Sequence, residues 1–292
     1  MHLVITDSGL GGLGICAAIE NAFRRSNNGG DVRLTYFNAW PEQGRGYNSL
    51  PDEAARLEVF DRALARMSQL RPDRIVIACN TLSVLFPLTR FSRASSMPVV
   101  GIIDAGVNFF YEALTAEPAS AIALFGTRIT MESGAHRERL TGRGIAPGRI
   151  VPVASHGLAA AIEADAGGAD VDRLIAGCAS QAAASLPPDG PVLAGLCCTH
   201  YGYVADRFRE TLEAALGRPV RVLDPNGAMV RQVTPVSWRD PGDSTAGTVT
   251  VEVTSKVTLD ERARAGIWRL VAPISEATAL ALQSYTHVPD LF

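Results

Sequence analysis

Short, predominantly apolar runs alternate along this chain with stretches in which apolar residues recur every three or four positions. The runs occupy residues 3–5, 32–37, 75–78, 98–103, 120–125, 150–153, 191–196 and 220–223. Runs of that length between turn residues predict strands buried on both faces. Between them the period is helical. Ile15, Ala18, Ile19 and Phe23 mark one face, and residues 51–70 form an amphipathic stretch with Asp52 and Glu53 in its first turn, where carboxylates suit the helix dipole. Further helices are expected over part of 82–90, from Asp104 through Ala113, around 131–140, over 157–165 and over 171–185. Pro87 limits the first of these. In the tail, 247–255 alternates like an edge strand, and 261–271 and 274–283 have helical spacing. Strand, turn and helix in repetition predict an α/β fold with mostly parallel sheets.

The pattern restarts at residue 120. Ser8 and Cys79 are 71 positions apart (79 − 8), and so are Thr127 and Cys198 (198 − 127). The four residues fall at matching strand ends in matching order. This predicts two similar, pseudo-symmetric α/β domains with a site in the cleft between them. The expected division is 1–101 plus 217–292 for the first and 102–216 for the second, with two chain crossings.

Composition narrows the function classes. The 292 residues are 47% hydrophobic with a net charge of −3, enough for a sizeable core and without the basic excess of a nucleic-acid binder. No run approaches the roughly 18 apolar residues of a membrane span. The N-terminus reaches Asp7 too soon for a signal peptide. Five cysteines, an odd number without CxxC spacing, argue against a disulfide framework or a metal site. A reduced, cytoplasmic setting is the expectation.

Two apolar runs end on a cysteine among small polar residues: Ala78-Cys79-Asn80-Thr81 and Cys197-Cys198-Thr199-His200. A strand handing over to a helix exposes a sulfur to helix amides, which favour thiolate. One thiol on each side of a substrate α-carbon suits two-base proton exchange with inversion, with neither metal nor organic cofactor required. Ser8, Asn80, Thr81, Thr127 and Thr199 are neutral groups suited to holding carboxylates. Asp7 and His200 are placed to tune or orient the two thiols. Cys16 and Cys178 fall on helical patterns and Cys197 within an apolar run, which makes packing their expected role. His2, His136, His156 and His287 read as surface groups or satisfied partners. Gly9-x-Gly11-x-x-Gly14 matches a dinucleotide fingerprint. However, the next strand ends on Asn38, where an NAD site wants a carboxylate.

Taken together, Asp7-Ser8-Gly9-Leu10-Gly11-Gly12, Ala78-Cys79-Asn80-Thr81, Gly126-Thr127-Arg128-Ile129-Thr130 and Cys198-Thr199-His200-Tyr201 resemble the glutamate racemases of the cofactor-independent aspartate/glutamate racemase superfamily. The resemblance covers roughly residues 3 to 225. It implies Cys79 and Cys198 as catalytic acid/bases, the first facing the D form and the second the L form. Asp7 and His200 would assist, and Ser8, Asn80, Thr81, Thr127, Thr130 and Thr199 would hold substrate. Ala154-Ser155-His156-Gly157-Leu158 leading to Glu163 resembles a family segment ending in a glutamate near the catalytic histidine. The implied partner is a small amino acid, the implied product a D-amino acid of the kind used in peptidoglycan, and a homodimer is admitted.

Two departures bear on specificity. The family's Pro-Tyr-Gly is matched by Gly44-Arg45-Gly46-Tyr47. Either Arg45 replaces the tyrosine beside Gly46, bringing a charged fork for carboxylates, or the loop shifts and Tyr47 serves. Cys197 stands where glycine is usual, and the chain from Thr234 onward matches poorly. Three other readings stay open. One is the same fold acting on aspartate, a hydantoin or another small carboxylic acid. Another is a non-catalytic small-molecule binder. The third is a nucleotide-dependent enzyme.

Overall fold

The structure, a computed structural model, describes residues 1–26, 30–234 and 247–292. Its strands are β1 His2–Asp7, β2 Val32–Asn38, β3 Arg74–Ile77, β4 Val99–Gly101, β5 Ala121–Gly126, β6 Ile150–Ala154, β7 Val192–Cys197, β8 Val220–Leu223, β9 Val249–Ser255 and β10 Thr286–His287. They form two sheets, β10-β9-β2-β1-β3-β4 and β6-β5-β7-β8, parallel at every pairing. The path β2-β1-β3-β4 is repeated as β6-β5-β7-β8, which is the duplication that the 71-residue spacing suggested.

Burial on both faces explains the predominantly apolar runs, and Arg33 and Arg221, which interrupt two of them, are exposed. Along β1, Leu3 and Ile5 enter one cluster with Ile15, Ile19, Ile267 and Leu282, while Val4 enters another with Phe60, Leu64 and Leu82. In the second sheet, Ala123 and Phe125 meet Leu158, Ile175 and Phe208 on one face, and Ile122 and Leu124 meet Phe110 and Leu140 on the other. Each fully buried side chain of this size contributes about 1.5–3 kcal/mol. The helix Ile102–Ala116 joins the halves: Ile102 packs with the first sheet, Val107 and Phe110 with the second.

Several expectations shift in detail. The strand over 98–103 stops at Gly101 and the helix starts at Ile102. The helix around 131–140 is two, Arg128–Glu132 and Ala135–Thr141, separated at Gly134 with φ 67°, a left-handed turn that glycine adopts without penalty. Val220–Leu223 pairs with β7. A domain boundary at 217 therefore divides the second sheet, and the chain leaves that sheet only after Leu223. The expected edge strand, β9, pairs with β2 over all seven of its residues and carries the two-residue β10 on its outer side. Part of the poorly matching tail, 235–246, lies outside the described residues.

The packing cysteines behave as expected: Cys16, Cys178 and Cys197 are buried, and burial pushes the Cys16 thiol up to about 12. His136 does not. It is buried against Phe110, and among the described residues neither ring nitrogen has a partner. Burial and the charge of Arg139 lower its pKa to about 4, so the ring is neutral. Among the described residues, no helix is long and apolar enough to cross a membrane.

Candidate active site

In each sheet the strand order reverses beside the first strand of the half, between β1 and β3 and between β5 and β7. Parallel sheets open a crevice at the carboxyl ends of their strands at such a point. Asp7 and Ser8 leave β1 there, Cys79 follows β3, Thr127 follows β5 and Cys198 follows β7. All five line one cavity of about 300 Å3.

Cys79 caps the helix Asn80–Leu85, and its sulfur accepts the Leu82 amide at 3.4 Å. Ser8 Oγ lies 3.1 Å from the same sulfur. Burial and the Asp7 carboxylate push the Cys79 thiol far up, against the pull of the Ser8 and Leu82 hydrogen bonds. Asp7 is itself buried and accepts the Thr199 hydroxyl at 2.9 Å. Burial raises its pKa above the usual carboxylate value, and the His200 charge and the Thr199 bond only partly offset it.

Cys198 has a different neighbour. Its sulfur lies 3.6 Å from His200 Nδ1, and His200 Nε2 lies 2.7 Å from Glu163 Oε1. That oxygen also accepts the Leu10 amide at 2.8 Å, across the cleft. Burial opposes a charge on His200, but its bonds to Cys198 and Glu163 and the Glu163 charge overcome this and hold its pKa well above the ordinary value. Burial likewise opposes ionisation of Glu163, yet the His200 and Leu10 contacts hold it below the usual range. The three side chains form a thiol–imidazole–carboxylate relay.

Other expected residues divide into those at the cavity and those behind it. Gly46, Asn80, Thr81, Thr199, His200 and Glu163 join the lining. Thr130 does not. It sits buried behind the wall, 3.3 Å from Thr81 Oγ1 and 3.0 Å from Thr127 Oγ1, in a hydroxyl cluster that links the halves with the 2.9 Å Thr81–Thr127 contact. Arg45 is also outside. Residues 42–45 make a tight turn, with the Arg45 amide on the Glu42 carbonyl at 3.0 Å and Gly44 at φ 75°. The guanidinium points outward, 3.6 Å from Glu42, with 55% of the side chain exposed. The loop continues inward instead, so that Tyr47 and Asn48 reach the cavity. Trp40 and Arg128 line it too, without having been assigned a role from sequence. A signal for Trp40 and Tyr47 existed: each is a large aromatic in an otherwise polar loop.

Among the described residues, four buried polar atoms in this wall have no partner: Tyr47 Oη, Asn48 Oδ1, Asn80 Nδ2 and Asn80 Oδ1. Leaving such groups unpaired costs about 1–3 kcal/mol each, so the cavity is built for a ligand with both donors and acceptors. The glycine-rich turn serves another purpose than phosphate binding. Any side chain at Gly11 would collide with Thr199 Oγ1 and the His200 ring, and one at Gly14 with Tyr203. Tyr203 donates to the Gly11 carbonyl at 3.2 Å. The turn is bare so that the second half can press against it. Among the described residues no group of His, Cys, Asp and Glu is arranged to hold a metal ion.

Residues 10–233 match a family described as Asp/Glu/Hydantoin racemase. The chain is 31% identical over 242 residues to a glutamate racemase of Granulibacter bethesdensis, covering 81% of this chain and 78% of that protein. In fold it is similar to the Francisella tularensis glutamate racemase solved with D-glutamate, with a TM-score of 0.66 at 18% identity over 92% of both chains. The Escherichia coli glutamate racemase solved with L-glutamate and the activator UDP-MurNAc-ala gives a TM-score of 0.59 at 20% identity, covering 94% of this chain and 95% of that one.

Proposed function

The chain belongs to the Asp/Glu/Hydantoin racemase family, and from that premise we propose that it interconverts L- and D-glutamate, without a cofactor, through Cys79 and Cys198. One observation carries this reading: two thiols from equivalent strand ends of two equivalent halves line a single cavity.

The chemistry balances without a further reactant. One sulfur, as thiolate, takes the α-proton: an S–H bond forms, the Cα–H bond breaks, and the electron pair is delocalised into the α-carboxylate. The opposite thiol then gives its proton to the other face. Its S–H bond breaks and a new Cα–H bond forms with inverted configuration. Cys79, held protonated by burial and Asp7, is the donor at rest. Cys198, beside the imidazolium of His200, has a cation positioned to balance negative charge on its sulfur. After one conversion the protons have changed places, and the reverse conversion starts from that form. The α-carboxylate must be stabilised as it takes up charge, by oriented donors in a site with little water. Asn80, Thr81, Thr127 and Thr199 are the candidates, with the unbonded Asn80 amide foremost. Asp7 suits the substrate ammonium.

The rival readings lose support in this geometry. Arg45, the feature that favoured a different acid, turns away from the cavity. A mere binder has no use for the Cys198–His200–Glu163 relay. The test is α-proton exchange by NMR in D2O, with L-glutamate, D-glutamate and both aspartates supplied separately and no cofactor added. Exchange with inversion of glutamate, lost in Cys79→Ser and in Cys198→Ser, is the expected result. Folded protein that exchanges none of the four would sink the proposal.

A further inference from the structure

With Arg45 paired to Glu42 on the outside, the cavity lacks the cation that its sequence promised. Among the described residues of its lining, one side chain carries a permanent positive charge, and it is Arg128. It comes from the other half, as the first residue of the helix Arg128–Glu132 that follows β5. One of its terminal nitrogens reaches across the cleft to the Asn48 carbonyl at 3.2 Å. Among the described residues it has no acidic partner. A guanidinium with a single carbonyl contact keeps most of its N–H donors free.

The rest of the lining is negative or neutral apart from histidine, with Asp7 and Glu163 both contributing carboxylates. A substrate with two carboxylates and one ammonium can place its ammonium at Asp7. Its second carboxylate, kept away from Asp7 and Glu163, gains most beside a cation. In the loop that Arg128 touches, Tyr47 is 2% exposed, and among the described residues neither its hydroxyl nor the buried Asn48 Oδ1 has a partner. These are independent marks of a place that expects a polar ligand.

We propose that Arg128 selects for a second acidic group on the substrate, with the Tyr47 hydroxyl as a neutral donor to the same group. This rests on the racemase reading and names how that site tells glutamate from its uncharged relatives. D-Glutamate and D-glutamine have the same shape and differ in that charge, so they are the probes.

Calorimetric binding to the wild-type protein should favour glutamate. Arg128→Ala should weaken glutamate about tenfold, the effect of losing a charge-assisted hydrogen bond at a partly open site, and leave glutamine within about twofold. KM for glutamate should rise in step while kcat holds, and Arg128→Lys should recover part of the loss. Tyr47→Phe should weaken glutamate several-fold with an unchanged or higher unfolding midpoint, because the hydroxyl it removes has no partner among the described residues. Equal weakening of both ligands in Arg128→Ala would mark a simple latch across the cleft and overturn the proposal. Unchanged binding of both would overturn it too. Wild-type protein that binds glutamate without inverting it would end the racemase reading, while the glutamate-to-glutamine ratio would still decide Arg128. Wild-type protein that binds neither would end both.

Discussion

The first half holds its cysteine under a helix, and the second holds its cysteine beside an imidazole. Cys79 receives the Leu82 amide and Ser8 and lies close to a buried carboxylate, Asp7. Cys198 faces His200, which leans on Glu163. The strands beneath follow the same path in both sheets. The frame was copied while the charge was reversed: a negative neighbour on one side, a positive one on the other. The proposed two-base exchange needs one base loaded with a proton and one empty at each moment, and opposite neighbours would supply that difference before substrate arrives. Mirror-image substrates have equal free energies, so kcat/KM must be equal in the two directions whatever is mutated. Any asymmetry between the halves has to appear in kcat and KM separately, or in exchange without inversion.

The largest expected effect tests the pairing itself. Cys79→Ser and Cys198→Ser should each lower racemisation by about 10^3-fold, the usual scale of a lost acid/base. Residual α-deuterium exchange without inversion should be confined to opposite enantiomers in the two variants. The same enantiomer exchanging in both would break the comparison. Next, Glu163→Gln should reduce kcat about a hundredfold. It should also move the alkaline limb of the pH profile to lower pH, because His200 loses the carboxylate that helps raise its pKa. An unmoved limb would mean that the relay is only scaffolding.

The third effect is on stability. His200→Asn leaves a buried Glu163 without its imidazolium, a loss of about 3 kcal/mol in denaturant unfolding. The sign follows from two shifts. His200 is raised, so its contribution is complete below its unfolded pKa of about 6.5 and is lost as pH rises through the folded value. Glu163 is lowered, so its contribution is complete above about 4.5 and is lost as pH falls through its folded value. The wild-type advantage should therefore peak between those limits and shrink on both sides. Smallest is Thr130→Ala. It should cost about 1 kcal/mol of stability, through the hydroxyl cluster with Thr81 and Thr127, and leave KM unchanged. A raised KM would return Thr130 to the cavity wall.

Much of this was legible in the sequence because buried parallel strands write themselves as predominantly apolar runs, and their polar ends mark the crevice. Asp7, Ser8, Cys79, Thr127 and Cys198 were found in that way. Glu163 and Gly46 came from resemblance alone. Arg45 went wrong because a four-residue turn decides which way a loop side chain points, and Gly44 at positive φ turns it outward. Trp40 was passed over although a large aromatic in a polar loop marked it, and Arg128 was missed since nothing in a linear pattern says which residues after a strand face across a cleft. β8 was assigned to the wrong half because its membership is set by pairing with β7, a contact remote in sequence.

Cys79 and Cys198 are only 6% and 7% exposed, and the cavity that they line, at about 300 Å3, is at the small end for ligand pockets. A free amino acid fits such a space. A residue inside a peptide would bring chain at both its amino and its carboxyl side, into walls already occupied by Asp7 and the threonines. Handedness must then be set on the monomer, before any bond to a neighbour is made, and never corrected afterwards in a polymer.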